Sequence, residues 1–132
     1  MKRGRGFTLI EILIALTILA ILSTLGVAGY RHHRRSAAET VLAANLQIMR
    51  HAIEQYKADR GKYPASLDDL WREASKRYLQ SIPMDPILRS SNMWVVELEP
   101  PDPDNPDGEV GISNVRSGAD GIDLEGKPYS DY

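Results

Sequence analysis

The chain has 132 residues, 16 basic and 18 acidic, for a formal charge of −2, and it contains no cysteine. A disulfide framework and a cysteine-based zinc site are therefore excluded, and so nearly balanced a charge gives no general attraction for nucleic acid. An apolar run from Phe7 to Tyr30 takes up about 24 residues, which leaves roughly 100 to build one modest hydrophobic core.

The first six residues are a short basic leader carrying Lys2, Arg3 and Arg5 and ending in Gly6. The run behind it contains a single charge, Glu11. A helix of that length reaches roughly 36 Å, enough to cross a hydrocarbon layer of about 30 Å, so a transmembrane span is predicted. An acidic side chain costs about 2.5–3.5 kcal/mol near the bilayer centre and less near its surface. Two plainer readings of the run stay open. One is a secretory signal cut after Ser23, Thr24, Gly26, Ala28 and Gly29, and the other is a simple single-span anchor. Both leave Glu11 without a role. Lys2, Arg3 and Arg5 on one side are nearly matched by Arg31, Arg34 and Arg35 on the other, so charge leaves the orientation open. Arg31-His32-His33-Arg34-Arg35 reads as an interfacial collar.

From Ser36 to Asp59 there is no Pro or Gly, and strong helix formers dominate. Leu42, Leu46, Met49, Ile53 and Tyr56 recur at three- and four-residue steps, with Val41, Ile48 and Ala52 widening the stripe. Glu39, Asn45, Gln47, Arg50, Glu54 and Lys57 form the polar face. One helix from about Phe7 to Arg60 is predicted, roughly 80 Å long. Gly61 ends it and Pro64 prevents its continuation. Ser66 then caps a second helix, Leu67 to Leu79, with Asp69 three residues on. That helix presents Leu70, Trp71, Ala74 and Tyr78.

Strands are predicted at Met93–Glu99, around Trp94-Val95-Val96, and at Val110–Val115, alternating through Val110, Ile112 and Asn114. Pro100, Pro101, Pro103 and Pro106 make the stretch between them an exposed, acidic hairpin connection. Its acidic residues, Asp102 to Glu109, do not match the spacing of an EF-hand. The tail from Ser117 to Tyr132 reads as loop with one short strand at most.

Enzyme chemistry lacks an inventory. The histidines are His32, His33 and His51, two beside the apolar run and one on the long helix. No nucleophile elbow is present, and Gly4-Arg5-Gly6 is too short for a phosphate loop. Met49 and Tyr56 read as core.

Gly6-Phe7-Thr8-Leu9-Ile10-Glu11, behind a basic leader and opening an apolar run, resembles the signal of type IV pilins and pseudopilins. Three further blocks resemble the major, G-type pseudopilin of type II secretion. These are Tyr56-Lys57-x-Asp59-x-Gly61-x-Tyr63-Pro64 with Leu67 and Leu70, then Tyr78-Leu79-x-x-Ile82-Pro83-x-Asp85-Pro86, and Ser117-Gly118-Ala119-Asp120-Gly121. The resemblance implies cleavage by a prepilin peptidase between Gly6 and Phe7 and N-methylation of Phe7. It also implies that Glu11 pairs with the Phe7 amine of a neighbouring subunit during assembly. It further implies a calcium ion in the C-terminal loop, with Asp120 matching the family's first aspartate, Asp131 a later one, and Asp123 and Glu125 between them. The chain departs from the family in three places. Ala20 and Ala28 stand where members carry a glycine and a proline, and Ile87-Leu88-Arg89-Ser90 replaces an aromatic residue and a glycine. The family's run of consecutive aspartates is missing.

The expected fold is α+β, a long N-terminal helix with a membrane half and an amphipathic half packed on a small antiparallel sheet, pilin-like. The expected organisation is a cleaved leader over 1–6, a transmembrane half over 7–30, an amphipathic half over 31–60 and a globular head over 61–132. The resemblance implies a non-enzymatic filament subunit of the type II secretion pseudopilus. It would be anchored by a single pass in a bacterial inner membrane, with its head in the periplasm. Its partners would be further copies of itself in a helical filament, minor pseudopilins, prepilin peptidase and an inner-membrane assembly platform, with no nucleic acid. A type IV pilus or DNA-uptake pilin, and a membrane-anchored periplasmic adaptor that never polymerises, are the alternatives.

Overall fold

The computed structural model describes residues 6–72, 76–100 and 110–132, and the side chains of all of these except 25–28. Residues 1–5 of the leader, Ala74 in the predicted second helix, the acidic connection Asp102–Glu109, and the side chain of Ala28 lie outside the described residues. The elements in chain order are α1 (Leu9–Arg60), α2 (Asp69–Arg72), β1 (Trp94–Leu98), β2 (Ile112–Ser117) and a 3₁₀ turn (Tyr129–Asp131). The chain divides into two compact units, Met1–Ser36 and Ala37–Tyr132.

Among its described residues the first unit is almost entirely helix and has no core of its own. Every described side chain from Gly6 to Thr24 is exposed, Phe7 by 77% and Leu9 by 87%. Its hydroxyls turn back onto the helix: Thr17 donates to the Leu13 carbonyl, Ser23 to that of Leu19 and Thr24 to that of Ile21, each at 2.7 Å. Satisfied in this way, three polar groups can sit in an apolar medium at low cost. Helix α1 is long and apolar enough to cross a membrane, and none of its apolar stretch is buried.

The second unit carries the core. Leu42, Leu46, Met49, Ala52, Ile53 and Tyr56 of α1 pack with Leu70, Leu79, Trp94, Ile112, Val115, Ala119 and Tyr129. The stripe read from spacing is therefore buried, but Val41 and Ile48, expected to widen it, are 48% and 54% exposed. Gly61 ends α1 in the left-handed region at φ 73° and its N–H reaches the Lys57 carbonyl at 2.8 Å.

The second helix is far shorter than Leu67–Leu79. The expected Ser66–Asp69 contact forms, with the Ser66 N–H donating to Asp69 Oδ2 at 2.9 Å. Helix α2 nevertheless spans only Asp69–Arg72. Residues 76–79 are not helical, and the Leu70 carbonyl accepts the N–H groups of Tyr78 and Leu79, both at 2.9 Å. The chain has turned back on itself, and Leu79 enters the core from this fold rather than from a helical face.

Strands β1 and β2 form a two-stranded antiparallel sheet, as expected of a hairpin. The second strand lies two residues later than predicted, and its alternation is broken. Glu97 pairs with Asn114 but Leu98 with Ile112, so Ser113 is the extra residue of a bulge. Its hydroxyl donates to the Glu97 carbonyl at 3.2 Å. The bulge lets Ile112 and Val115, three residues apart, both reach the core. Asn114, expected on the apolar face, is drawn instead into polar contacts with Arg50 and Glu97. Gly111 lies against Tyr63, where an added Cβ would come within 2.5 Å of Tyr63 Cβ. Beside it the Ile112 N–H donates to the Pro64 carbonyl at 2.8 Å.

The segment after Asp85-Pro86, where the aromatic residue and glycine are absent, is organised by Asp85 itself. This side chain is fully buried. Its Oδ1 accepts the N–H groups of Ile87 at 2.8 Å and Leu88 at 3.1 Å, and its Oδ2 accepts the Ser117 hydroxyl. A bridge between Asp85 and Ser90 closes the turn, and Arg89 takes up a left-handed φ of 53°. The tail holds one isolated bridge, Ile122 with Pro128, and the 3₁₀ turn. Because Asp85 binds two amides and a hydroxyl in the interior, Asp85→Ala should destabilise the fold by about 2–4 kcal/mol. Asp85→Asn keeps the acceptor for both amides and should cost less than half of that, as read by denaturant unfolding.

Candidate functional site

Two places carry the residues singled out by the sequence. The first is the start of α1. Thr8 caps the helix: the Glu11 N–H approaches Thr8 Oγ1 at 3.4 Å and the Thr8 carbonyl at 3.1 Å, while the Ile12 N–H reaches the same carbonyl at 3.3 Å. Glu11 sits in the first turn of α1, where a negative side chain meets the positive end of the helix dipole. Thr8-Leu9-Ile10-Glu11 has the spacing of a capping box. Thr8 has no role in the sequence-based expectations, although this spacing was available to find it. Gly6, Phe7 and Glu11 are all exposed, so nothing among the described residues covers Glu11.

The second place is the C-terminal loop. Of the three candidate calcium ligands, Asp123 is buried at 5% exposure, whereas Asp120 and Asp131 are exposed. Asp123 Oδ1 accepts the N–H groups of Glu125 and Lys127, both at 2.8 Å, and Oδ2 accepts the Tyr132 hydroxyl at 2.6 Å. Asp131 Oδ1 accepts the Ser130 hydroxyl at 3.1 Å. Among the described residues, no group of three His, Cys, Asp or Glu side chains comes together that could hold a metal ion. The donor set present here does not fit the ion that the family resemblance implies.

What gathers at this loop instead comes from the polar face of α1. Glu39 is only 9% exposed. Its Oε1 accepts the Tyr129 hydroxyl at 2.9 Å and the Leu124 N–H at 3.1 Å. Eleven residues later, close to three helical turns and so on the same face, Arg50 is half-buried. Arg50 Nε donates to Asn114 Oδ1 at 2.8 Å, and Nη2 donates to the Val115 carbonyl at 3.0 Å and to the Tyr132 main-chain oxygen. Asn45, half-buried on the same helix, donates to the Met84 carbonyl at 3.0 Å. The eleven-residue spacing of opposite charges, Glu39 and Arg50, was the one sign of this in the sequence.

The Asp123–Tyr132 hydrogen bond shifts both groups. The Tyr132 hydroxyl, followed by the Lys127, Glu125 and Gly126 amides, holds the Asp123 carboxyl below its ordinary 3.8, against burial that works the other way. The same bond, with burial, pushes Tyr132 up from 10.0 to about 12.

Comparison with known proteins agrees with this architecture. Residues 1–27 match the family model of the prokaryotic N-terminal methylation motif. The type II secretion system core protein G of Pseudomonas aeruginosa is 31% identical over 98 residues, 64% of this chain and 69% of that protein. The core protein G of Dickeya chrysanthemi is 24% identical over 89% of this chain and 92% of its own length. That of Klebsiella pneumoniae is 33% identical over 66 residues, half of this chain, which spans about half (47%) of that relative's length. No solved structure matches. The chain belongs to the type IV pilin-like pseudopilins, the family of the type II secretion system core protein G. Its exposed apolar helix is compatible with an inner-membrane anchor.

The linked pKa shifts fix a pH window. The lowered Asp123 value contributes stability that is complete above 3.8 and is lost as the pH falls through the lowered value. The raised Tyr132 value contributes stability that is complete below 10.0 and is lost as the pH rises through about 12. In a spectrophotometric titration, the phenolate absorbance that Tyr132→Phe removes should therefore develop only near pH 12. Development near pH 10.0 would mean that the Asp123 bond does not form.

Proposed function

We propose that this chain is a structural subunit of a periplasmic pseudopilus that drives type II protein secretion. The observation that carries the reading is the contrast within α1. The second half buries one stripe against the head, whereas the apolar side chains from Phe7 to Leu22 are exposed and pack against nothing among the described residues. Before assembly they face lipid, with the leader in the cytoplasm and the head in the periplasm. In the filament they face the same segments of other copies.

Prepilin peptidase cuts between Gly6 and Phe7, and the new Phe7 amine is methylated. An inner-membrane platform then adds the subunit to a helical filament that minor pseudopilins accompany. Moving an apolar helix from lipid to other helices gains little hydrophobic energy, because lipid tails are equally apolar. Packing and buried polar pairs must supply the preference. Glu11 supplies one: a carboxylate held near the membrane is expensive alone and is relieved by the amine of a neighbouring Phe7. No catalytic constellation is required.

Thr8 offers a competing account of Glu11, as the third residue of a helix cap. Glutamine serves that position as well as glutamate does, but it cannot neutralise an amine. Under the proposal, Glu11→Gln and Glu11→Ala should both insert into the membrane normally and both lose filament assembly, as judged by sheared-filament yield. Wild-type yield from Glu11→Gln alone would assign Glu11 to the cap and contradict the intersubunit pair.

A further inference from the structure

We propose that the C-terminal loop of this head is closed without a metal ion, by a clasp in which Arg50, Glu39, Tyr129 and Tyr132 do the work that an ion would otherwise do. The inference starts from the donors. Calcium takes six to eight oxygens at about 2.3–2.6 Å. A carboxylate offers about four lone-pair positions. Asp123 has committed three of them, to the amides of Glu125 and Lys127 and the hydroxyl of Tyr132. The main-chain oxygens of Val115 and Tyr132 are both held by the Arg50 guanidinium.

The charges point the same way. The cleft beside Asp123, about 310 Å³, is lined by Arg50 and Lys127 as well as by Asp123 and Glu125. Lys127 Nζ stands 4.6 Å from the centre of the Tyr132 ring. Two fixed cations already balance the two acids, so a divalent ion entering here would meet positive charge at short range. The guanidinium also does what a bound ion does for a loop. It draws carbonyls from separate segments, Val115 of β2 and Tyr132 of the tail, onto one positive centre anchored on α1. Glu39 completes the clasp from the other sign, gathering the Leu124 amide and the Tyr129 hydroxyl onto the same helix.

A metal-dependent loop gains order only when the ion is supplied. A clasp built from side chains is complete once the chain has folded, so the head should neither need calcium nor respond to a chelator. The test uses the full chain in detergent, with thermal unfolding followed by tryptophan fluorescence, in millimolar calcium and in EGTA. The wild-type midpoint should be the same in both. Tyr132→Phe, which removes one clasp bond, should lower the midpoint by about 4–8 °C equally in calcium and in EGTA. Arg50→Met should lower it further, again irrespective of calcium. A rise of the wild-type midpoint in calcium would overturn the clasp, as would recovery of either variant by calcium or an unchanged midpoint in Tyr132→Phe. Should Arg50→Met fail to fold, calorimetric titration of the wild type with calcium decides alone: heat of binding contradicts the clasp and its absence supports it. A calcium response would leave the filament reading standing, since that reading rests on the other end of the chain.

Discussion

A single carboxylate on an otherwise apolar helix surface is the constraint on which the rest depends. Glu11 lies in the first turn of α1, exposed, among side chains that are themselves exposed. In a membrane such a group is stable only near the interface or beside a positive charge. The helix cap at Thr8 meets part of that need through the dipole; in the filament proposed above, a neighbour's amine would meet the rest. The rest of the stretch from Phe7 to Tyr30 keeps the cost of the surrounding medium low: it carries no other charge, and the hydroxyls of Thr17, Ser23 and Thr24 are bonded to the helix's own carbonyls.

The second unit solves a different problem with the same helix. Beyond Ser36 one face of α1 must bind a head of modest size, and a small core gives limited stabilisation. The apolar stripe from Leu42 to Tyr56 supplies the area. Polar side chains supply the register. Glu39 and Arg50 hold the tail, Asn45 holds the segment before Asp85, and Asp85 ties its own turn to β2 through Ser117. Each of these contacts satisfies a group that would be expensive to bury unpaired. The head is therefore tied to the second half of α1 at several points, as the proposed role of a filament subunit would require.

The parts that depend on local chemistry could be read from the sequence. The stripe Leu42, Leu46, Met49, Ile53 and Tyr56 shows because burial on one helix face imposes a period, and Gly61 and Pro64 mark the end of α1 through backbone preference alone. Val41 and Ile48 misled because hydrophobic character does not guarantee burial. The second helix was overextended because nothing near Leu70 announces that its carbonyl is taken by Tyr78 and Leu79. The bulge at Ser113 is equally silent, yet it shifts the strand and breaks the alternation of Val110, Ile112 and Asn114. The clasp was hidden for a stronger reason: Glu39 meets Tyr129 across 90 residues and Arg50 meets Tyr132 across 82. Charges at such separations look like an ordinary solvated face until the fold brings their partners to them.

At the membrane end, the distinction between a filament subunit and a plain anchor lies in the fate of six residues. A subunit needs a free amine on Phe7 to meet the carboxylate of a neighbour's Glu11, whereas an anchor has no use for it. Intact-mass measurement of the chain purified from bacterial membranes reads this directly. The account predicts a mature chain beginning at N-methylated Phe7, and a chain that retains Met1 through Gly6 would contradict it.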